Sequence, residues 1–284
     1  MRGLPGSGKS TKAKELVDSG NYIRVNRDLL REMLHNNKWS GKNEGITIDA
    51  EKAMIRVALG SGKNIVVDDT NLNPSVVQMW RDLAKENGMQ FEILNMTTSL
   101  EECIRRDAER SHTIGRDRIV GMALQSNLFP VPKKGFVLCD LDGTLCDIKH
   151  RLKYVDGSMG EKKDWKTFFE KIPDDLLRGG TLGTLLNARR EGYQVFFVSA
   201  RPDTYRGITV EWLNKHLPKD FKYEGLLMRS AYDKREDTLV KQDMYDKYFK
   251  HYSVHSVIDD RPSVIRMWKS NGLNVLDVGD GVEF

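Results

Sequence analysis

From Tyr22 onward, short apolar runs alternate with longer stretches in which apolar residues recur every three or four positions. Tyr22–Asn26, Asn64–Asp68 and Gln90–Met96 have the length and side-chain type of strands, and the segments between them have the period of amphipathic helices. That alternation predicts βαβ units and a parallel sheet. A helix is expected from Pro74 to Asn87, because it opens on proline and stops at Gly88. Ser99 and Glu102 have the spacing of a capping box and predict a helix running to about Ser111.

The stretch Phe129-Pro-Val-Pro-Lys-Lys-Gly135 interrupts the pattern and reads as a linker. Beyond it the same grammar restarts, with strand-like runs at Phe136–Cys139, Gln194–Val198, Tyr223–Leu227, His255–Ile258 and Leu273–Asp277. The expected fold is therefore α/β, with two doubly wound parallel-sheet domains at residues 1–130 and 131–284. A chain of 284 residues also exceeds what one core usually serves. Ligands of such sheets sit beyond the carboxyl ends of the strands, which directs the search for chemistry to those positions.

Composition narrows the class only a little. With 39% hydrophobic and 30% charged residues the chain is neither disordered by composition nor embedded in a membrane. It has no spanning apolar run and no signal-peptide core, so a cytoplasmic protein with no membrane partner is expected, in the host cytoplasm if a phage encodes it. The balance of 45 basic against 41 acidic residues permits a nucleic-acid partner without requiring one. Cys103, Cys139 and Cys146 match neither a disulfide framework nor a zinc site and read as reduced thiols.

Gly3-Leu-Pro-Gly-Ser-Gly-Lys-Ser10 satisfies G-x-x-x-x-G-K-[ST]. Glycines at 3, 6 and 8 let backbone N–H groups wrap phosphates, Lys9 reaches the β- and γ-phosphates, and Ser10, followed by Thr11, ligates Mg²⁺. The glycine spacing excludes a dinucleotide fingerprint, and Asn37-Lys-Trp-Ser40 lacks the aspartate of guanine readout, which leaves an ATP-dependent phosphotransferase. Such a loop should follow a buried strand, yet only Met1 and Arg2 precede Gly3. The reading preferred for this is a chain that starts inside a longer product, the alternatives being a mis-chosen start or an inactive kinase domain. Asp28, at the end of the next strand, is the expected base, and Arg31, one turn on, an anion clamp, the plain alternative being Asp28 as a helix N-cap. Arg106 and Arg110 would cover the phosphates or else form a solvated face. Asp69, in Asp68-Asp69-Thr-Asn71, could order Mg²⁺ or Arg31, or only build a turn.

After the linker, Cys139-Asp140-Leu-Asp142-Gly-Thr144 follows an apolar run, and strand alternation points both carboxylates the same way. Such a pair can hold Mg²⁺, with Asp140 attacking phosphorus and Asp142 donating a proton to the leaving oxygen. Ser199, Arg201 and Lys241 are expected to bind phosphate oxygens, and Asp259 and Asp260 to complete the metal shell. The set resembles the haloacid dehalogenase-type phosphatase pattern. Lys149–Asp175 should cap that pocket. There Trp165, Phe168 and Phe169 could stack a base, although an aromatic face buried against the core is the plainer role.

A P-loop followed by this phosphatase set resembles the polynucleotide kinase/3′-phosphatase family of large tailed bacteriophages over essentially the whole chain. The matching segments are Gly3–Thr11, Asn26-Arg-Asp28 with Arg31, Asp69–Pro74, Arg106 with Arg110, Asp140–Thr144, Ser199-x-Arg201 and Asp259-Asp-Arg261. The resemblance implies phosphorylation of nucleic-acid 5′-hydroxyl ends, DNA or RNA, and removal of 3′-phosphates. It implies Asp28 as base, Arg31 with Asp69 at the acceptor, and Arg110 stabilising the transferring phosphates. It also implies a homo-oligomer. No K-x-D-G ligase nucleophile occurs, so a separate ligase is expected downstream. The rival readings are a small-molecule kinase fused to a small-molecule phosphatase, a phosphatase with an inactive kinase domain, and a non-catalytic nucleic-acid binding module.

Overall fold

The structure is a computed structural model that describes residues 1–157, 163–281 and 283. The chain divides into two compact units, Met1–Phe129 and Pro130–Phe284.

In the first unit the order is α1 (Lys9–Asp18), β1 (Tyr22–Val25), α2 (Arg27–His35), α3 (Gly41–Leu59), β2 (Asn64–Val67), α4 (Pro74–Glu86), α5 (Leu100–Ala108) and α6 (Arg116–Gln125). β1 and β2 pair in parallel, with Tyr22 opposite Asn64 and Val25 opposite Val67. Val25, Leu30, Ile55, Trp80 and Leu83 form a core around this pair. On the other side of β2, the Met1 amine donates to the Val67 carbonyl at 3.0 Å, and Arg2 exchanges bonds of 2.8 Å with Leu94 and Met96. Met1–Gly3 thus lie between β2 and residues 94–96. Gln90–Met96, expected as a strand, bridges only at Asn95, opposite Arg2, because the neighbouring backbone is so short. A cleft of about 640 Å³ continues the line, walled by Ile65–Val67, Phe91–Leu94 and Trp80.

Helix starts follow their capping side chains. Asn26 Oδ1 accepts from the Leu29 N–H at 2.9 Å, and Asn73 Oδ1 accepts from that of Ser75 beside Pro74. Ser99 caps α5, but the Glu102 carboxylate turns to Arg105 and Arg106 instead of completing a box. α5 ends three residues before Ser111 because the buried Asp107 carboxylate accepts from the N–H groups of Ile114 and Gly115, drawing the chain round into α6.

The second unit runs β3 (Phe136–Cys139), β4 (Cys146–Asp147), α7 (Lys149–Leu152), α8 (Trp165–Glu170), β5 (Leu176–Leu177), α9 (Gly179–Arg190), β6 (Gln194–Pro202), α10 (Arg206–His216), β7 (Gly225–Arg229), α11 (Asp237–Met244), β8 (Val254–Asp259), α12 (Pro262–Ser270) and β9 (Val275–Asp277). Its main sheet is parallel with order β7-β6-β3-β8-β9, and every residue of β3 is buried. β6 outruns the expected Gln194–Val198 because its ladder resumes past a bulge between Ser199 and Pro202. Phe136 packs edge-on to Phe196 at 5.0 Å. The strand order reverses at β3, so a crevice opens beyond its carboxyl end. There β4 and β5 form a small antiparallel pair that brackets the expected cap segment, Lys149–Asp175, within which α7 and α8 fall. Residues 158–162 of that segment lie outside the described residues. Among the described residues no helix is long and apolar enough to cross a membrane, and all three cysteines are free and buried.

Candidate active sites

The glycine-rich loop of the first unit is shaped by contact. Gly6 and Gly8 hold φ of 82° and 91°, and a Cβ on Gly6 would lie 2.3 Å from the Cys103 carbonyl oxygen of α5. A Cβ on Gly3 would strike Ser7 and Met96. Lys9, 8% exposed at the start of α1, donates to the Leu4 and Gly3 carbonyls at 2.8 and 3.0 Å. Burial pushes its pKa down, Asp68 and then Cys103 oppose this, and Arg110 and Asp28 act on its charge more weakly. Arg106 reaches the Gly6 carbonyl at 3.5 Å and pairs with Glu102, while Ser10, Thr11 and Arg110 are exposed.

Asn26, not Asp28, caps α2, which settles the alternative raised by the sequence. The Asp28 side chain stands 84% exposed in the first helical turn and is ion-paired with Arg31. Arg31 is held from behind by both oxygens of Glu44 at 2.8 Å. Asp69 does not order Arg31 here. Its Oδ1 accepts from the Arg27 N–H at 3.0 Å, and Arg27 binds the buried Glu51 at 2.5 and 2.9 Å. Burial and a hydrogen bond with Asp69 raise the Glu51 carboxyl to about 8. Glu51 Oε1 and Asp69 Oδ2 are both buried without a hydrogen-bond partner, a lack that a proton on Glu51 would relieve. Asp68 is occupied by Arg24, and Asn71 ties the Met1 carbonyl to the Trp80 indole.

In the second unit Asp140, Asp259 and Asp260 converge, with one oxygen from each lying within 4.8 Å of the others. Lys241 on α11 sits among them, 3.1 Å from Asp140 and 2.8 Å from Asp259. Trp268 fixes Asp259 through its indole N–H at 3.1 Å, and Thr144 donates to Asp260 at 2.8 Å. Gly143, at φ 77°, must be glycine, since a Cβ would fall 2.0 Å from Asp260 Oδ2. Burial drives the Asp140 carboxyl well above its usual range, with Lys241 opposing and Asp259 and Asp260 adding to it. Burial also pushes Asp260 up to about 6. For Lys241 burial works the other way, but Asp140 and Asp259 outweigh it and keep the ammonium charged.

Three further expected residues, Asp142, Arg201 and Ser199, lie in a second network beside this cluster. Asp142 does not join the acidic cluster. Arg201 reaches its two oxygens at 3.0 Å and Arg151 binds it from the other side. Burial opposes its charge, yet the two arginines win and hold its pKa below the ordinary carboxylate range. Arg201, fully buried, is paired with Asp142 and with Asp175 at 3.2 Å. Ser199 is 1% exposed, its Oγ accepting from the Arg201 N–H at 3.2 Å. Arg151 and Asp175, which the sequence reading missed, meet through two bonds of 2.7 Å. A crevice of about 690 Å³ opens onto Asp140, Asp142, Lys241 and Asp260.

Fold and sites together describe a P-loop unit followed by an α/β unit with a buried acidic cluster at the end of its central strand. The profile of the family described as polynucleotide kinase PNKP phosphatase domain matches residues 134–282, and that of the AAA domain matches residues 1–129. The chain belongs to the polynucleotide kinase phosphatase-domain family. It is 30% identical, over 94% of its length, to a protein of Autographa californica nuclear polyhedrosis virus that carries the name bifunctional polynucleotide kinase/RNA ligase. A Schizosaccharomyces pombe protein named bifunctional polynucleotide phosphatase/kinase is 33% identical over 35% of the chain. The chain spans 40% and 21% of the lengths of these two relatives. A solved structure of a Pnkp1/Rnl/Hen1 complex aligns over 99% of this chain and 96% of its own at 25% identity, with a TM-score of 0.44.

Proposed function

We propose that the chain heals nucleic-acid ends, with the first unit transferring a phosphoryl group from ATP to a 5′-hydroxyl and the second hydrolysing a 3′-phosphate. The observation that carries this reading is the presence on one chain of two phosphate-handling centres, the Lys9 loop within reach of Asp28 and Arg110, and Asp140 paired with Lys241.

In the first unit, Lys9 and the loop N–H groups would hold the donor phosphates, with Arg106 and Arg110 above them. Asp28 would take the proton of the attacking hydroxyl, while Arg31, braced by Glu44, holds the acceptor's phosphate. In the second, an Asp140 oxygen forms a bond to phosphorus as the bond to the 3′-oxygen breaks, the leaving oxygen taking a proton from solvent, and a water molecule then cleaves the aspartyl-phosphate to release inorganic phosphate. Asp142, kept ionised by Arg151 and Arg201, is suited to take the proton of that water. Magnesium fits the second site, where three buried carboxylates supply hard oxygen ligands, and Ser10 suits it in the first. When bound there it would neutralise phosphate charge.

The products are a 5′-phosphate and a 3′-hydroxyl, the pair a ligase joins, so a separate sealing activity would act downstream in DNA or RNA repair. The test uses an oligonucleotide with 5′-hydroxyl and 3′-phosphate ends, Mg²⁺ and labelled ATP, with the two ends followed separately. Both ends change if the reading holds. No change at either end, alongside turnover of small phosphoesters, overturns it.

A further inference from the structure

We propose that Trp165 is the stacking platform for the base of the 3′-terminal nucleotide, and so a specificity-determining residue of the second site. The inference rests on the 3′-phosphatase reading.

The three aromatic residues of α8 have different fates. Phe168 is core, 2% exposed, and carries the Arg151 guanidinium 4.1 Å from its ring centre. Phe169 packs on Tyr205 at 5.0 Å. Trp165 is left 42% exposed on the wall of the crevice that also holds Asp140, Asp142 and Lys241. It does not need this position to fill the core, since Phe168 already does so.

The ring is nevertheless braced. It stacks on Phe169 at 6.0 Å with 23° between planes and meets Phe168 edge-on at 5.6 Å. An exposed indole fixed from behind, at the mouth of a phosphate site, is suited to receive another flat π-system.

The surrounding charge fits a nucleotide chain better than a neutral aromatic ligand. Lys163 holds its ammonium 5.5 Å from the indole centre. Arg229 at the end of β7, with Lys234 and Arg235 of the loop after it, lines the same crevice. Arg229 and Arg235 are paired with aspartates, whereas Lys234 is exposed and forms no ion pair among the described residues. With the 3′-phosphate at Asp140, the terminal base would lie on Trp165 and the next phosphate toward these cations. A crevice of about 690 Å³ is large enough for one nucleotide.

The test compares two oligonucleotide 3′-phosphates, one with a normal terminal base and one whose terminal sugar is abasic, on the wild-type protein and on Trp165→Ala and Trp165→Phe. Wild type should favour the base-bearing end by about tenfold in kcat/KM, through KM. Trp165→Ala should lose that preference with kcat kept and with the abasic substrate unaffected, and Trp165→Phe should recover most of it. Equal losses on both substrates, or an intact base preference in Trp165→Ala, would overturn the proposal. Wild type leaving both 3′-phosphates in place would overturn the phosphatase reading itself.

Discussion

Arg201 grips both carboxylate oxygens of Asp142 through two nitrogens, Nε at 3.0 Å from each oxygen and Nη2 at 2.5 Å from Oδ1. The pair is closed on its far side by Arg151 and balanced by Asp175, so two arginines and two aspartates share a buried network. Removing one member of a buried pair costs about 3 to 5 kcal/mol, because the other charge is left without a partner. Arg201→Ala should therefore lower the urea stability of the second unit by about that amount. Arg201→Lys cannot reproduce the fork geometry. It should lower 3′-phosphatase kcat by about a hundredfold while 5′-phosphorylation is unchanged. End-specific assays on the same preparation read both.

Gly143→Ala tests the close approach at Asp260. A Cβ there would lie 2.0 Å from Asp260 Oδ2, at a φ that an L residue rarely adopts. Asp260 must move, and the phosphatase should lose about a hundredfold in kcat, since displacements near 1 Å cost that much. Retention of wild-type activity would mean that the Asp260 position is not critical.

Removing the cap of α2 separates stability from chemistry in the first unit. Asn26→Ala should destabilise that unit by about 1 kcal/mol, and Asn26→Ser should restore most of it. Differential scanning calorimetry is the readout.

Glu51 predicts a pH dependence. Its carboxyl is raised from 4.5 to about 8 in the folded chain, first by burial and then by its bond to Asp69. The folded state therefore binds more protons than the unfolded state between those values, and stability falls as pH rises through that window. The urea midpoint of the first unit should drop between about pH 5 and pH 8, and Glu51→Gln should flatten the slope. An unchanged slope in the variant would show that another group is responsible.

What was legible in the sequence was local. Phe136–Cys139 and the Asp140–Thr144 turn were read with the right bounds, because the strand, the turn glycine and the carboxylates lie within a few residues. The Lys9 loop was equally plain. The Asp142 clamp was not, because its partners lie 9 and 59 residues away, with Asp175 a further 24 from Arg151. Nothing in an isolated arginine marks it as buried. Gln90–Met96 has a strand pattern but lacks a long neighbour, and a ladder needs two strands. Asn26 and Asp28 are both good capping types two residues apart, and only backbone geometry chose between them.

The most direct test of two independent centres compares Lys9→Ala with Asp140→Asn on one oligonucleotide carrying a 5′-hydroxyl and a 3′-phosphate. Lys9→Ala should abolish 5′-phosphorylation and leave 3′-phosphate removal at the wild-type rate, and Asp140→Asn should do the reverse. Loss of both activities in either variant, with the fold intact, would contradict the account.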